Sequence, residues 1–110
     1  MSDDELAAAI ERVRRRFFAQ RDARVGPLRE AQQALEAGTA VRWSATYDAA
    51  HKIAGLAGSI GLPQLSTCAQ ALEAALLEAQ SSPGCDLSSV ANALAQLIGA
   101  WDDAERAQAA

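Results

Sequence analysis

His51 is the only histidine in the chain and stands in the run Ala49-Ala50-His51-Lys52-Ile53-Ala54-Gly55-Leu56-Ala57-Gly58-Ser59-Ile60-Gly61. A histidine of ordinary pKa, about 6.5, is largely neutral at neutral pH and so offers a nucleophilic nitrogen. In an in-line phosphoryl transfer such a nitrogen needs no activating base, because positioning and charge neutralisation dominate the barrier. The spacing of Ala49, Ile53, Leu56 and Ile60 predicts the core-facing stripe of a helix. At about 100° per residue His51 then lies roughly 170° from the centre of that stripe and points to solvent. Ala54 and Gly55, one turn on, and then Gly58 are expected on the same side. Glycine inside a helix costs on the order of 1 kcal/mol relative to alanine, so two of them in one exposed stretch need a reason. A bare surface lets the imidazole stand clear and enter another protein's active site. The chain shows no glycine-rich nucleotide loop, no nucleophilic-serine motif and no second histidine for a metal pair. A phosphorylated histidine here would need its donor and acceptor to bring the metal and the carboxylates.

The elements that position His51 are helices. Hydrophobic residues make up 50% of the chain and aromatics only 5%, with alanine supplying much of the former, and alanine loses no side-chain entropy in a helix. Ser2-Asp3-Asp4-Glu5 reads as a capping box. Behind it Leu6, Ile10, Val13 and Phe17 define a first helix to about Gln20. Gly26-Pro27 predicts a break or kink. A second helix, with Leu28, Ala31 and Leu35 inward, runs to about Ala37 and ends at Gly38. The helix of His51 covers about Trp43 to Ile60 and ends at Gly61. Pro63 opens a fourth, with Leu65, Cys68, Leu72 and Leu76 on one stripe, ending near Gln80. After the loop Ser81-Ser82-Pro83-Gly84, Asp86 or Ser88 caps a fifth, whose seam is Leu87, Val90, Leu94, Leu97 and Trp101. The tail at about 106–110 is expected to fray. Short connections between amphipathic helices predict an all-α single domain over residues 1–110: an antiparallel four-helix bundle with an additional N-terminal helix.

A net charge of -4 argues against nucleic-acid binding. The basic stretch Arg12, Arg14, Arg15 and Arg16, continued by Arg21 and Arg24, reads as a solvated helix face, with a docking surface for an acidic partner as the second possibility. No run approaches the roughly 18 apolar residues of a membrane span. The acidic start lacks the basic region of a secretory signal. Cys68 and Cys85 form no CxxC motif, and all of this predicts a cytoplasmic protein.

The run from His51 to Gly61, followed by Leu65, Leu72 and Glu73, resembles the signature of bacterial histidine phosphotransfer (HPt) domains. In that family glycine follows the phospho-accepting histidine at i+4, a small residue at i+7 and glycine at i+10, and a leucine-rich helix carries a Leu-Glu pair. The resemblance implies a phosphocarrier of two-component phosphorelays that shuttles a phosphoryl group between receiver-domain aspartates through phosphohistidine at His51. Such a carrier is not an enzyme in the strict sense. It needs no cofactor or metal of its own, the magnesium being expected on the receiver. Partners implied are the receiver domains of response regulators and hybrid sensor kinases, and a monomer is expected. The implied docking surface comprises Tyr47, Lys52, Ala54, Gly55, Gly58, Leu62 and Gln64 around His51, with Ser44 at the rim. The family usually has lysine at the position of Ala54, and Lys52 is a poor geometric substitute, so phosphohistidine lifetime or the transfer equilibrium is expected to differ. The alternative is a non-phosphorylated HPt-like module that sequesters a receiver or kinase. A plain structural bundle would require His51 and its glycines to be accidental.

Overall fold

The computed structural model describes residues 2–82, 84 and 86–109, so Pro83 of the expected loop and Cys85 lie outside the described residues. Five helices follow in order: α1 (Asp3–Ala19), α2 (Arg21–Ala37), α3 (Trp43–Ser59), α4 (Pro63–Ser81) and α5 (Ser88–Ala109), with no strand among the described residues. The all-α bundle expected from composition is the observed fold. Helix α3 packs on α2 and α4, and α5 on α4 and α2, which closes the four-helix ring; α1 touches chiefly α5. Leu28, Ile53, Leu65, Leu72, Leu76, Leu94, Leu97 and Trp101 fill the centre, each almost fully excluded from solvent.

The break between the first two helices falls at Gln20 and not at Gly26-Pro27. Gln20, at φ -92° and ψ 26°, ends α1 and opens α2, while Pro27 sits inside α2. Proline removes one intrahelical donor. Burial of Val25 and Leu28 on either side holds the helix through it. A straight rod over residues 3–37 would be about 52 Å long at 1.5 Å per residue, which accounts for the 54 Å long axis of the molecule. The two helices are thus nearly collinear, and the first part of α1 overhangs the bundle. At the far end α5 stays helical to Ala109, beyond the Glu105 where fraying is expected. Gln108 bonds Glu11 of α1 there, which gives the last turn a partner.

The helix starts and stops follow local chemistry. Ser2 caps α1 by accepting from the Glu5 amide at 3.2 Å. Pro63 opens α4, and the Asp86 carboxylate accepts from the Ser88 amide at 2.9 Å. The turn that closes α3 passes through Ile60 to Gly61, whose φ of +76° suits glycine, and the Leu62 amide folds back onto the Ala57 carbonyl at 2.9 Å. Arg14 of α1 completes this terminus: its Nε donates to the Ile60 carbonyl at 2.7 Å, a cation at the negative end of the helix dipole. A Cβ at position 61 would come within 2.6 Å of that guanidinium.

Candidate functional site

The buried face of α3 is formed by Thr46, Ala49, Ala50, Ile53, Ala54, Ala57 and Ile60. It is rotated by about 50° from the stripe read off Ala49, Ile53, Leu56 and Ile60. Leu56 is 39% exposed and Ala54 is buried, both contrary to expectation. The physical reason is the run of alanines. Ala50, Ala54 and Ala57 are small enough for α4 to approach closely, so α4 covers them and leaves the larger Leu56 on the flank. Ser66 of α4 donates to the Ala54 carbonyl at 2.8 Å across this seam.

The rotation brings His51 nearer to α4 while leaving it in solvent: its side chain is 69% exposed. The Glu73 carboxylate of α4, largely buried, lies 3.3 Å from His51 Nδ1. A carboxylate only accepts, so in a neutral imidazole the contact favours the proton on Nδ1 and the lone pair on Nε2. Tyr47, one turn before His51, stacks on the imidazole with ring centroids 6.0 Å apart and planes 10° from parallel. The ring is thus contacted from two sides, and among the described residues Nε2 has no hydrogen-bond partner. Among the described residues no group of three or more His, Cys, Asp or Glu side chains could hold a metal ion.

The other expected site residues divide. Gly55 follows His51 in the open, with nothing within 4 Å of an added Cβ. Gly58 is also exposed but flanks α4, where an added Cβ would meet Ser66 Oγ at 3.4 Å. Ala54 belongs to the α3–α4 seam and is not part of the open face. Lys52 turns to the other side, into a groove shared with Gln20, Arg24 and Pro27 of the first two helices. Leu62 and Gln64 line a different groove, of ≈ 330 Å³, against Ala100, Asp103 and Ala104 of α5. Gln64 lies nine residues before Glu73 on α4, about 14 Å along the axis, so the rim around His51 does not include it. Ser44 is exposed at the start of α3. Cys68 is a half-buried free thiol packed against the core. Glu73 is the residue missed as a site member, although it stands in the Leu72-Glu73 pair.

If Glu73 orients the imidazole, Glu73→Ala slows phosphoryl acceptance by roughly two- to tenfold, the worth of about 0.5–1.5 kcal/mol in one hydrogen bond. Stability should hardly change, and Glu73→Gln, whose amide oxygen can still accept, should recover most of the rate. Nitrogen shifts of the imidazole check the cause: the alanine variant should lose its preference for the Nδ1-protonated tautomer. An unchanged tautomer together with a slowed rate would assign Glu73 another role.

The family model of the Hpt domain matches residues 5–107 of the chain. A comparison of the chain with the curated proteins and one with the solved structures each found no match.

Proposed function

The chain belongs to the Hpt domain family, whose members serve phosphorelay histidine phosphotransfer, and we propose that His51 is its phosphoryl acceptor and donor. The observation that carries this reading is the 69% exposed imidazole with Nδ1 against the Glu73 carboxylate and no hydrogen-bond partner for Nε2 among the described residues. A receiver domain docks over α3 and α4 and presents its aspartyl phosphate. The Nε2 lone pair attacks phosphorus, the N–P bond forms as the P–O bond to the aspartate breaks, and the aspartate leaves as a carboxylate. The Nδ1 proton remains between His51 and Glu73, and the reverse step reloads a second receiver. The phosphoryl charge is neutralised chiefly by the receiver and its magnesium, because Ala54 stands where relatives usually carry lysine and Lys52 faces the other flank. No helix among the described residues is long and apolar enough to cross a membrane, which fits a carrier that meets its partners in the cytoplasm.

Phosphoryl transfer from a panel of radiolabelled phosphorylated receivers tests the proposal. Acid-labile, alkali-stable label on this chain is the expected result. Receiver binding with no label from any donor would instead make the chain a sequestering module.

The bareness of the docking face has its own test. Gly55→Ala should stabilise the helix by about 0.5–1 kcal/mol, since the new methyl meets nothing within 4 Å. It should nevertheless slow transfer from a receiver, measured beside the melting curve. A stabilised variant with unaltered transfer would show that Gly55 is not at the docking face.

A further inference from the structure

Among the described residues, three of the four exposed large apolar side chains, Leu6 at 50%, Val13 at 45% and Leu56, lie on α1 or on α3, whose end Arg14 of α1 caps. Leu6 and Val13 are two turns apart and within about 20° of each other round α1. They form a short stripe, with Ile10 at its edge, that no helix of the bundle covers. Glu5, Arg12 and Arg16 share one flank of that stripe, within about 40° of one another. None of these three side chains has an ion-pair partner among the described residues.

We infer that α1 is a self-association surface whose partner is α1 of a second copy of this chain, packed antiparallel. In that arrangement, centred near Ile10, Leu6 of each copy meets Val13 of the other. Glu5 then comes level with the stretch between Arg12 and Arg16 of the second copy, on the same side of the seam, and the two-fold repeats the contact at the other end. A parallel pairing in register brings no carboxylate of this flank level with an arginine. The charge order along α1, acidic in the first turn and basic beyond Glu11, therefore selects the antiparallel form. Because the start of α1 overhangs the bundle, the two bundles lie end to end. His51 pairs with Glu73 on α4, away from the α1 stripe, and stays open to a receiver in both copies.

A seam this short falls below the roughly 800 Å² per partner of a standard interface, so a dissociation constant of about micromolar order or weaker is expected. Sedimentation velocity of the full chain, from low micromolar to near-millimolar concentration, should show a monomer giving way to a dimer. The double variant Leu6→Glu/Val13→Glu, at exposed positions, should stay monomeric with unchanged helix content and unchanged phosphoryl acceptance. Glu5→Arg alone, and Arg12→Glu/Arg16→Glu alone, should each weaken the dimer at least tenfold. An equimolar mixture of those two should restore it, because every contact between them is again of opposite sign. A wild type that remains monomeric throughout, a dimer indifferent to Leu6→Glu/Val13→Glu, or a mixture that fails to re-form would each overturn the inference.

Discussion

His51→Gln should accept no phosphoryl group from any receiver while melting within about 0.5 kcal/mol of the wild type, as expected of an exposed side chain. Both halves follow from the same geometry. The imidazole is 69% exposed and its one polar contact among the described residues is to Glu73, a bond that a glutamine amide can also donate. Nothing in the core depends on the ring. The proposed chemistry does, because His51 is the only histidine in the chain and glutamine offers no nucleophile in its place. Phosphoryl acceptance and thermal unfolding measured on one preparation decide the matter. Persistent label on the variant would place the acceptor elsewhere, and a marked loss of stability would mean that the imidazole has a packing role.

The helices of this bundle are legible in the sequence where capping and turn chemistry is strong. Ser2 with Glu5, Gly38, Gly61 and Pro63 mark ends to within a residue or two of those observed. Pro27 misleads, because the cost of one lost donor is local while the burial of Val25 and Leu28 acts on the whole helix. The exposure of His51 is legible as well, but the orientation of α3 is not. Alanine reads equally as core or surface, so Ala50, Ala54 and Ala57 give no periodic signal, and the larger Leu56 defines the apparent stripe instead. Only the docking of α4 shows that the alanines are the contact.

Glu73 was within reach of register arithmetic. In an antiparallel helix pair that turns near Leu62, residues at equal distances from the turn lie opposite each other. His51 is eleven residues before Leu62 and Glu73 eleven after. The same reasoning separates Gln64 from the site, since a residue so close to the turn cannot stand opposite the middle of α3. Tyr47 was legible from the i, i+4 spacing alone, and its stacking on His51 realises that spacing.

Trp101→Ala should be the most destabilising single substitution outside the site, at about 3–5 kcal/mol. Trp101 is fully buried and packs against Phe17 and Phe18 with ring centroids 4.8 and 5.1 Å away, while Arg24 lies over the Phe17 ring at 5.2 Å. Its Nε1 donates to Glu105 at 2.9 Å, and Glu105 with Asp102 holds Arg21 at the start of α2. The Asp102 hydrogen bond is the chief cause that raises the Arg21 guanidinium above its usual pKa, so that cation stays charged across the ordinary pH range. One indole therefore ties the end of α1, the start of α2 and the last turns of α5 together. A domain of this size has about 5–15 kcal/mol of stability in all, and melting falls by roughly 4–8 °C per kcal/mol. The alanine variant should accordingly melt well over ten degrees lower. Trp101→Phe, which keeps an aromatic ring and loses the Nε1 donor, should cost only about 1 kcal/mol. Hydrogen exchange should show α1 released first, since α5 is its main support. Transfer to His51 in the cold should survive in the folded fraction, because the α3–α4 seam that holds Glu73 against the imidazole does not pass through the indole. A loss below about 1 kcal/mol for Trp101→Ala would mean that α1 is held by its Arg14 cap on α3 and not by the aromatic cluster.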